Sequence, residues 1–283
     1  MTTNNTSTVT FHDGRSAPQL GLGVWQIEDD QVTSVVRTAL ELGYRSIDTA
    51  AVYANETGVG LGIRESGIPR EEIFLTTKLW NDRHGHAASK VAFEESLEKL
   101  GVDYIDLYLI HWPVPKNDLY VEAWETLIQL RDEGLIKSIG VSNFKINHLQ
   151  KLLDKTGVLP VVNQIELNPT FQQDALRLFH TEQEIITAAW SPLGRGRLWD
   201  DAVLTSIAHK HQRSIAQVVL RWHIQLGNMV LTKSVTPSRL QENSLVFDFM
   251  LDADDMAAIA TLDNPDGRQG PDPELFRMPK ETI

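Results

Sequence analysis

Four ionisable residues follow or close short apolar runs in the first 111 positions of the sequence. Asp48 follows the run that ends at Ile47, Tyr53 lies five residues further on, Lys78 closes IFLTTK, and His111 follows LYLI. A phenol has an ordinary pKa of about 10, and a lysine cation beside it would lower that value by favouring the phenolate, while an aspartate would hold the lysine charged. These residue types suit Tyr53 as a proton donor to a carbonyl oxygen. His111 could orient the carbonyl or share in proton transfer.

A structural ion pair is the simpler interpretation of any one of these residues taken alone. Buried charges cost free energy unless they are paired or used in chemistry, so four such groups at the ends of apolar runs favour catalysis. Lys78 by itself also permits a second chemistry, in which it is the Schiff-base nucleophile of a barrel aldolase. In the first hypothesis Lys78 is a cation beside the proton donor Tyr53 and forms no covalent bond. In the aldolase hypothesis Lys78 forms a covalent adduct with the substrate.

Aromatic residues concentrate at the same positions along the chain. Four of the seven tryptophans fall at or just past apolar runs, namely Trp25, Trp80, Trp112 and Trp190. Together they would form an apolar slot for a flat ring or a carbonyl substrate and exclude water from hydride transfer. Ordinary packing in loops is the simpler alternative. Trp124 and Trp222 fall inside predicted helices, and we expect them in the core.

The segment KSVTPSRLQEN, residues 233–243, directly follows the last apolar run. Thr236 can cap a helix that has Pro237 at its first position, so free backbone amides, Lys233 and Arg239 would face a common point. A helix N-terminus with two cations after the last strand of a barrel is typical of a phosphate site. A solvated helix start is the simpler alternative.

Eight short apolar runs must position these residues. They end near Val24, Ile47, Thr77, Ile110, Val141, Ile165, Trp190 and Leu231. Their spacing averages about 30 residues, the length of one strand–helix–strand step, and amphipathic stripes such as 32–40 and 215–226 separate them. We therefore predict an α/β fold, a (β/α)8 TIM barrel, with 1–283 as a single domain. For residues 1–19 we predict an N-terminal β-hairpin that plugs the bottom of the barrel. For residues 252–283 we predict a C-terminal helix and loop.

Composition excludes several classes of function. The 283 residues include no cysteine, which removes disulfide scaffolds, zinc ribbons, iron–sulfur clusters and thiol nucleophiles. A net charge of −12 argues against binding nucleic acid or an anionic membrane surface. No apolar run has the length of a membrane span, and the start MTTNNTSTVT lacks the basic and apolar regions of a secretory signal. We expect a cytoplasmic monomer whose partner is a small molecule.

Common cofactor and metal motifs are also absent from the sequence. The glycines at 21–23 and 58–62 do not form GxGxxG, and there is no Walker A sequence, so a dinucleotide would not be held by a Rossmann turn. Two H-x-H pairs, His84 with His86 and His209 with His211, fall in a polar loop and near a helix end, so we interpret them as surface residues. No metal site is predicted.

Six stretches resemble the aldo-keto reductase family, specifically its bacterial 2,5-diketo-D-gluconic acid reductase group. They are GYRSIDTAAVYANE (43–56), TTKLWND (76–82), DLYLIHWP (106–113), IGVSNF (139–144), NQIELNP (163–169) and KSVTPSRLQEN (233–243). The resemblance implies NADPH-dependent reduction of aldehydes or ketones to alcohols. Candidate substrates are 2,5-diketo-D-gluconate, related keto-sugars and dicarbonyls.

The resemblance also assigns roles to individual residues. It makes Asp48, Tyr53, Lys78 and His111 the catalytic tetrad, with the tyrosine as general acid. The residues that it implies for binding NADPH or NADP⁺ are Ser142, Asn143 and Gln164 at the nicotinamide carboxamide, Trp190 against the nicotinamide, Lys233, Ser234 and Arg239 at the 2′-phosphate, Glu242 and Asn243 near the adenine, and in addition Ser191, Leu193, Val235 and Thr236. The residues that it implies for the substrate pocket are Trp25, Trp80, His111 and Trp112.

Some positions depart from the pattern of the family. Thr232 stands where many members have proline, and Trp190 replaces the commoner tyrosine, as it does in the diketogluconate group. The C-terminal segment matches least well, so the substrate is the least determined part of the prediction. An NADP(H)-binding regulatory subunit without significant turnover is an alternative of a different class.

Overall fold

A computed structural model describes residues 7–276 of the chain. Eight parallel strands close into a barrel in the order β10-β3-β4-β5-β6-β7-β8-β9, which confirms the predicted (β/α)8 fold. After the hairpin strands β1 (Thr8–Thr10) and β2 (Ser16–Pro18), the barrel strands are β3 (Leu20–Gly23), β4 (Ser46–Asp48), β5 (Phe74–Leu79), β6 (Ile105–Ile110), β7 (Ile136–Ser142), β8 (Val162–Glu166), β9 (Ile186–Trp190) and β10 (Met229–Thr232). The barrel closes where β10 pairs with β3, with Val230 opposite Leu20.

Helices connect the strands and cover the outside of the barrel. They are α1 (Asp29–Glu41), α2 (Glu56–Glu65), α3 (His86–Leu100), α4 (Tyr120–Asp132), α5 (Ile146–Thr156), α6 (Asp174–Glu182), α7 (Ala202–His211), α8 (Ile215–Gln225), α9 (Pro237–Ser244) and α10 (Ala253–Ala260). The apolar stripe predicted on α1 is the buried face of that helix. Ser214 caps α8 and forms a capping box with Gln217. Trp124 and Trp222 are buried in the core, as expected.

The hairpin β1–β2 covers the end of the barrel opposite the carboxyl ends of the strands. Its two strands pair antiparallel, with Val9 opposite Ala17. The side chains of Val9, Phe11 and Ala17 pack in one apolar cluster with barrel residues such as Leu107. Phe11 also contacts Phe74, the first residue of β5, edge to face at 6.1 Å between ring centroids. The hairpin therefore plugs the bottom as predicted, while residues 1–6 lie outside the described range.

The segment after α9 returns the chain to the barrel. Asp252 caps α10 and forms a capping box with Asp255, which explains why the helix begins at the predicted position. Residues 261–276 then run as turns and extended chain, and residues 277–283 of the predicted C-terminal loop lie outside the described range. Within the described residues no helix is long and apolar enough to cross a membrane.

Two histidines that we interpreted as surface residues are not at the surface. His84 is only 7% exposed, and burial lowers its pKa to about 4. It is buried because the loop before α3 folds under that helix, where the Ser89 hydroxyl donates to the Arg83 carbonyl at 3.0 Å. His211 is half-buried, with Nε2 at 2.7 Å from the Asp255 carboxylate. Among residues 7–276 there is no cluster of three or more potential metal ligands.

Candidate active site

A cavity of about 650 Å³ opens at the carboxyl ends of the barrel strands. Most of the residues predicted for the site line it: Trp25, Asp48, Tyr53, Trp80, His111, Trp112, Ser142, Asn143, Gln164, Trp190, Ser191, Leu193 and Lys233. Parallel strands deliver their last residues to one edge, which explains why positions so far apart in sequence meet here. Lys78 lies behind this wall, and the predicted residues 234–243 lie beside the cavity along α9.

A buried ion pair between β4 and β5 lies beneath the cavity. Lys78 is fully buried, and its Nζ donates to Asp48 Oδ1 at 2.5 Å and to the Thr49 carbonyl at 2.8 Å. The second oxygen of Asp48, Oδ2, accepts from Gln164 Nε2 at 2.8 Å. Because each charge has a close partner, the pair can remain ionised inside the barrel.

Tyr53 and His111 lie above this pair. Tyr53 ends a short 3₁₀ helix, Ala51–Tyr53, that follows β4, and Lys78 Nζ is 5.2 Å from the centroid of its ring. The ring of His111, the residue after β6, is 5.7 Å from the ring of Tyr53 and 5.0 Å from that of Trp80. The four residues of the predicted tetrad thus form one cluster.

Burial is the largest cause of the pKa shifts of Lys78, His111 and Tyr53. It lowers the pKa of Lys78, although Asp48 opposes that shift. It lowers the pKa of His111 well below its ordinary range, and Lys78 adds to the effect, so His111 is neutral at neutral pH. Burial, with a contribution from Asp48, also raises the pKa of Tyr53 well above its ordinary value. The expected lowering of the Tyr53 pKa is therefore wrong for this structure, because burial and the negative charge of Asp48 both favour the protonated phenol.

A connected set of polar groups lies across the cavity from Tyr53. The Ser142 hydroxyl donates to the Gln164 carbonyl at 2.8 Å, and Asn143 Nδ2 donates to the His111 carbonyl at 3.0 Å. Trp190 Nε1 donates to Asn143 Oδ1 at 2.9 Å. Asn143 has a φ of 63°, a left-handed conformation that asparagine tolerates better than most residues. Hydroxyl and amide groups beside an indole form a donor set that fits an amide-bearing aromatic ring.

The segment 233–243 differs in part from its prediction. Thr236 precedes α9 and Pro237 is the first helical residue, but the Thr236 side chain makes no capping hydrogen bond. Instead the Thr236 amide donates to Ser234 Oγ at 3.1 Å, because this hydroxyl lies closer to the turn. Lys233 and Arg239 are both exposed, and neither forms an ion pair within residues 7–276. Two unpaired cations beside a helix start are chemically suited to a phosphate.

The remaining residues predicted on this segment differ in exposure. Val235 is 39% exposed, whereas Ser234 and Asn243 are buried and Glu242 is half-buried. The exposed positions of this segment, 235–239, therefore lie between the buried Ser234 and the buried Leu240.

Sequence reasoning missed two side chains that shape the cavity. Phe276 stacks on Trp112 with 4.5 Å between ring centroids and 10° between planes, and contacts Trp80 edge to face. The guanidinium of Arg195 lies 5.2 Å from the Trp25 ring centroid and 5.8 Å from that of Trp190. A lone arginine between two glycines, 194–196, was the available signal for Arg195, while Phe276 lies in a segment without periodicity.

Glu166, also missed, fixes the C-terminal segment against the cavity. This buried last residue of β8 accepts backbone hydrogen bonds from Gln269 at 2.8 Å and from Gly270 at 2.9 Å. A Cβ at Gly270 would lie 2.5 Å from Trp190, so only glycine allows this approach. Glu166 thus holds the segment that carries Phe276.

Comparison with known proteins identifies the same family as the sequence. The profile described as Aldo/keto reductase family matches residues 18–264. The methylglyoxal reductase DkgA of Escherichia coli K12 is 52% identical over 274 residues, which cover 96% of this chain and 98% of the relative. An aldo-keto reductase of Mycolicibacterium smegmatis is 53% identical over 270 residues, covering 95% and 98% of the two chains.

Solved structures agree with this family. A variant of Gox0644 in complex with NADPH has a TM-score of 0.93 at 52% identity, covering 96% of this chain and 99% of its own. The Bombyx mori aldo-keto reductase AKR2E4 in complex with NADP has a TM-score of 0.86 at 39% identity, covering 91% and 93%. With the barrel, the buried pair and the profile in agreement, this chain belongs to the aldo/keto reductase family of oxidoreductases.

Proposed function

We propose that this chain reduces aldehydes and ketones to alcohols with NADPH, and that Tyr53 is the general acid. The observation that carries the proposal is the buried pair of Lys78 and Asp48 beneath Tyr53 at the cavity floor. Relatives that hold NADPH or NADP in their solved structures support the predicted cofactor. General carbonyl reduction follows from the family, while the residue roles and the substrate below are our proposals.

When bound, NADPH supplies the hydride that a carbonyl carbon accepts. The hydroxyl and amide groups of Ser142, Asn143 and Gln164 are suited to hold its carboxamide, and the indole of Trp190 is suited to face the nicotinamide ring. Lys233 and Arg239 would pair with the 2′-phosphate that NADH lacks. The other residues that we assign to the cofactor are Ser191, Leu193, Ser234, Val235, Thr236, Glu242 and Asn243.

Tyr53 then delivers the proton that completes the alcohol. Its raised pKa keeps the phenol protonated at neutral pH, as a general acid must be. An alkoxide is far more basic than a phenolate, so the proton moves readily to the substrate oxygen. The cation of Lys78 stabilises the negative charge that remains on Tyr53, and Asp48 holds that cation in place.

His111 acts as a neutral hydrogen-bonding group. Its lowered pKa leaves one N–H on the ring, and its Nδ1 is buried without a hydrogen-bond partner within residues 7–276. A neutral imidazole can orient a carbonyl oxygen without competing with Tyr53 as a proton source. We therefore assign orientation of the substrate to His111 and proton donation to Tyr53.

The substrates that we propose are small dicarbonyls. Trp25, Trp80 and Trp112 line the cavity, and Phe276 stacks on Trp112 and also lines it, which supports a compact carbonyl substrate. The E. coli relative at 52% identity is described as a methylglyoxal reductase, so methylglyoxal is the first substrate that we propose. 2,5-Diketo-D-gluconate and related keto-sugars are the second.

The test is NADPH oxidation with methylglyoxal, simple aldehydes and keto-sugars, using the unchanged protein and Tyr53→Phe. We expect turnover of at least one dicarbonyl, and a loss of about 10²–10⁴-fold in kcat/KM for Tyr53→Phe. Tyr104→Phe, the same substitution away from the cavity, is the matched control and should retain activity. Absence of turnover with every carbonyl, or full activity of Tyr53→Phe, would refute the proposal.

The two alternatives from the sequence have their own tests. Burial lowers the pKa of Lys78, which also suits a Schiff-base nucleophile, so borohydride with a carbonyl substrate should trap Lys78 only in an aldolase. Tight NADPH binding without turnover would instead indicate a regulatory subunit. The single domain over 1–283, the monomeric state and the cytoplasmic location stay predictions.

A further inference from the structure

Glu56, the first residue of α2, is a buried acid that the proposed chemistry does not use. It is only 2% exposed, although glutamate is almost never buried without a partner. Its Oε1 accepts a hydrogen bond from the Thr77 hydroxyl at 2.6 Å. Within the described part of the chain it has no ion pair.

The helix α3 and the strands β5 and β6 pack around Glu56 and place few compensating charges near it. The Oε2 of Glu56 and the hydroxyl of Tyr108 on β6 are buried and lack a hydrogen-bond partner that meets ordinary geometry within residues 7–276, and the hydroxyl of Ser96 on α3 lies near both. Burial, the largest effect, raises the pKa of Glu56, and the hydroxyls of Thr77 and Ser96 lower it. Two charged residues of α3 have smaller effects, since Lys99 lowers this pKa and Glu95 raises it. The loop before α3 adds only Arg83, which faces Tyr108.

The strand β5 separates Glu56 from the catalytic lysine. Thr77 and Lys78 are consecutive on this strand, so their side chains point to opposite faces. Lys78 points into the barrel to Asp48, and Thr77 points outward to Glu56. One strand of dry protein therefore lies between the Glu56 carboxyl and Lys78, and charges interact over longer distances in such a medium than in water.

From this arrangement we infer that Glu56 is a positioning residue: as a buried carboxylate behind β5, held by Thr77, it keeps Lys78 in its cationic form. The inference rests on the proposed function, because Lys78 matters through Tyr53. Asp48 fixes the place of the Lys78 cation from inside the barrel, and Glu56 adds a second negative charge from outside it. Glu56 itself contacts neither the cavity nor any group that reacts.

The sign of the effect does not depend on which catalytic group titrates first. As pH rises, the pair of Tyr53 and Lys78 loses a proton, and its net charge falls by one. A nearby negative charge opposes that loss. Glu56→Gln removes the charge with almost no change in shape, so the alkaline limb of kcat/KM should move down by about one pH unit.

The experiment is the pH profile of kcat/KM for methylglyoxal and NADPH, measured for the unchanged protein, Glu56→Gln and Glu56→Asp. We expect the alkaline limb of kcat/KM to move to lower pH only in Glu56→Gln, because Glu56→Asp keeps the charge. Glu98→Gln, the same substitution at an exposed site on α3, is the control and should leave the limb in place. An unchanged limb in Glu56→Gln would overturn the inference, even if its melting temperature falls.

A second readout needs neither cofactor nor turnover. The carbon-13 shift of Lys78 Cε, assigned by comparison with Lys78→Met, reports the charge of this lysine as pH rises. We expect its midpoint to be lower in Glu56→Gln than in the unchanged protein and near its original value in Glu56→Asp. If the unchanged protein reduces no carbonyl, the proposed function fails while this titration still decides the role of Glu56. Equal midpoints in the unchanged protein, Glu56→Gln and Glu56→Asp would refute the proposed role of Glu56.

Discussion

The two places where we propose functional cations, Lys78 beneath the cavity and the segment 233–243 beside it, differ in burial and in partners. Lys78 is fully buried and bonded to Asp48 and to a backbone carbonyl. Lys233 and Arg239 are exposed, and within residues 7–276 they form no ion pairs. The same kinds of charge are therefore fixed in one place and free to adapt in the other.

This difference in burial distinguishes the cation that we propose for catalysis from the cations that we propose to select the cofactor. A cation in a dry, fixed environment acts strongly on a charge that develops beside it, and its removal leaves a buried partner unpaired. An exposed cation costs little stability, is screened by salt, and discriminates between ligands by whether they carry a phosphate. Stability and turnover should depend on Lys78, and cofactor preference should depend on Lys233 and Arg239.

The largest effect is expected for Lys78→Met. It leaves the Asp48 carboxylate buried without its cation, so the free energy of unfolding should fall by about 3–5 kcal/mol. The loss of charge beside Tyr53 should also lower kcat by about 10²–10³-fold. Urea unfolding at pH 7 and NADPH oxidation measure the two effects. Lys90→Met, at an exposed site on α3, should change neither quantity, and equal stability of the two variants would break the comparison.

The same contrast between buried and exposed groups applies to histidine. Burial lowers the pKa of His84 to about 4, and of His180 and His223 to about 3. A depressed pKa means that the fold favours the neutral ring, so this stability is complete above the unfolded pKa of about 6.5. It is lost as pH falls from there toward the folded value.

His84→Gln tests this contrast. Between pH 7 and pH 5 the unchanged protein should lose about 2 kcal/mol of unfolding free energy through His84 alone. His84→Gln has no histidine to protonate at this position, so its free energy of unfolding should fall less between pH 7 and pH 5. His209→Gln, at an exposed site, should follow the unchanged protein. Urea unfolding at the two pH values is the measurement, and parallel behaviour of both variants would show that burial does not control this titration.

A smaller effect is expected for Arg239→Ala. Loss of a charge-assisted contact to the 2′-phosphate should reduce the preference for NADPH over NADH by about tenfold. Because Arg239 is exposed and has no ion pair within residues 7–276, the melting temperature should not change. The ratio of kcat/KM for the two cofactors is the measurement, with Arg37→Ala on α1 as the control. A preference unaltered by Arg239→Ala would remove the segment 233–243 from cofactor selection.

The smallest effect is that of salt on the unchanged protein. Raising the ionic strength from about 0.05 to about 0.2 M should raise KM for NADPH about threefold, because exposed cations are screened. KM for NADH and kcat should barely change, since the Lys78 and Asp48 pair is buried. Steady-state kinetics at several salt concentrations with both cofactors measures this. Equal salt dependence for the two cofactors would contradict the assignment of Lys233 and Arg239 to a phosphate.

Much of the fold and the floor of the site could be predicted from sequence. The eight apolar runs end within two residues of the ends of the barrel strands, and parallel strands bring their ends together whatever the distance in sequence. This rule was enough to group Asp48, Lys78 and His111. The direction of the Tyr53 pKa was not predictable, because it depends on how completely the ring is buried.

The missed residues depend on contacts that sequence spacing does not encode. Phe276 reaches Trp112 only because Glu166, more than 100 positions earlier, binds the backbone at Gln269 and Gly270. Glu56 is buried by packing of α2 and α3 against β5, and its place in a motif said nothing about its exposure. His84 is likewise buried by its loop, although the loop is polar in composition.

Closure of the barrel between β10 and β3 also has a consequence for synthesis of the chain. Val230 pairs with Leu20, so β3 keeps an unpaired edge until nearly the whole barrel has left the ribosome. The neighbouring strands β4, β5 and β6, which carry Asp48, Lys78 and the residue before His111, can pair as they emerge. The segment 233–243 follows the closing strand. The groups that we propose for the chemistry can therefore assemble early in translation, whereas the groups that we propose for cofactor selection take their places last.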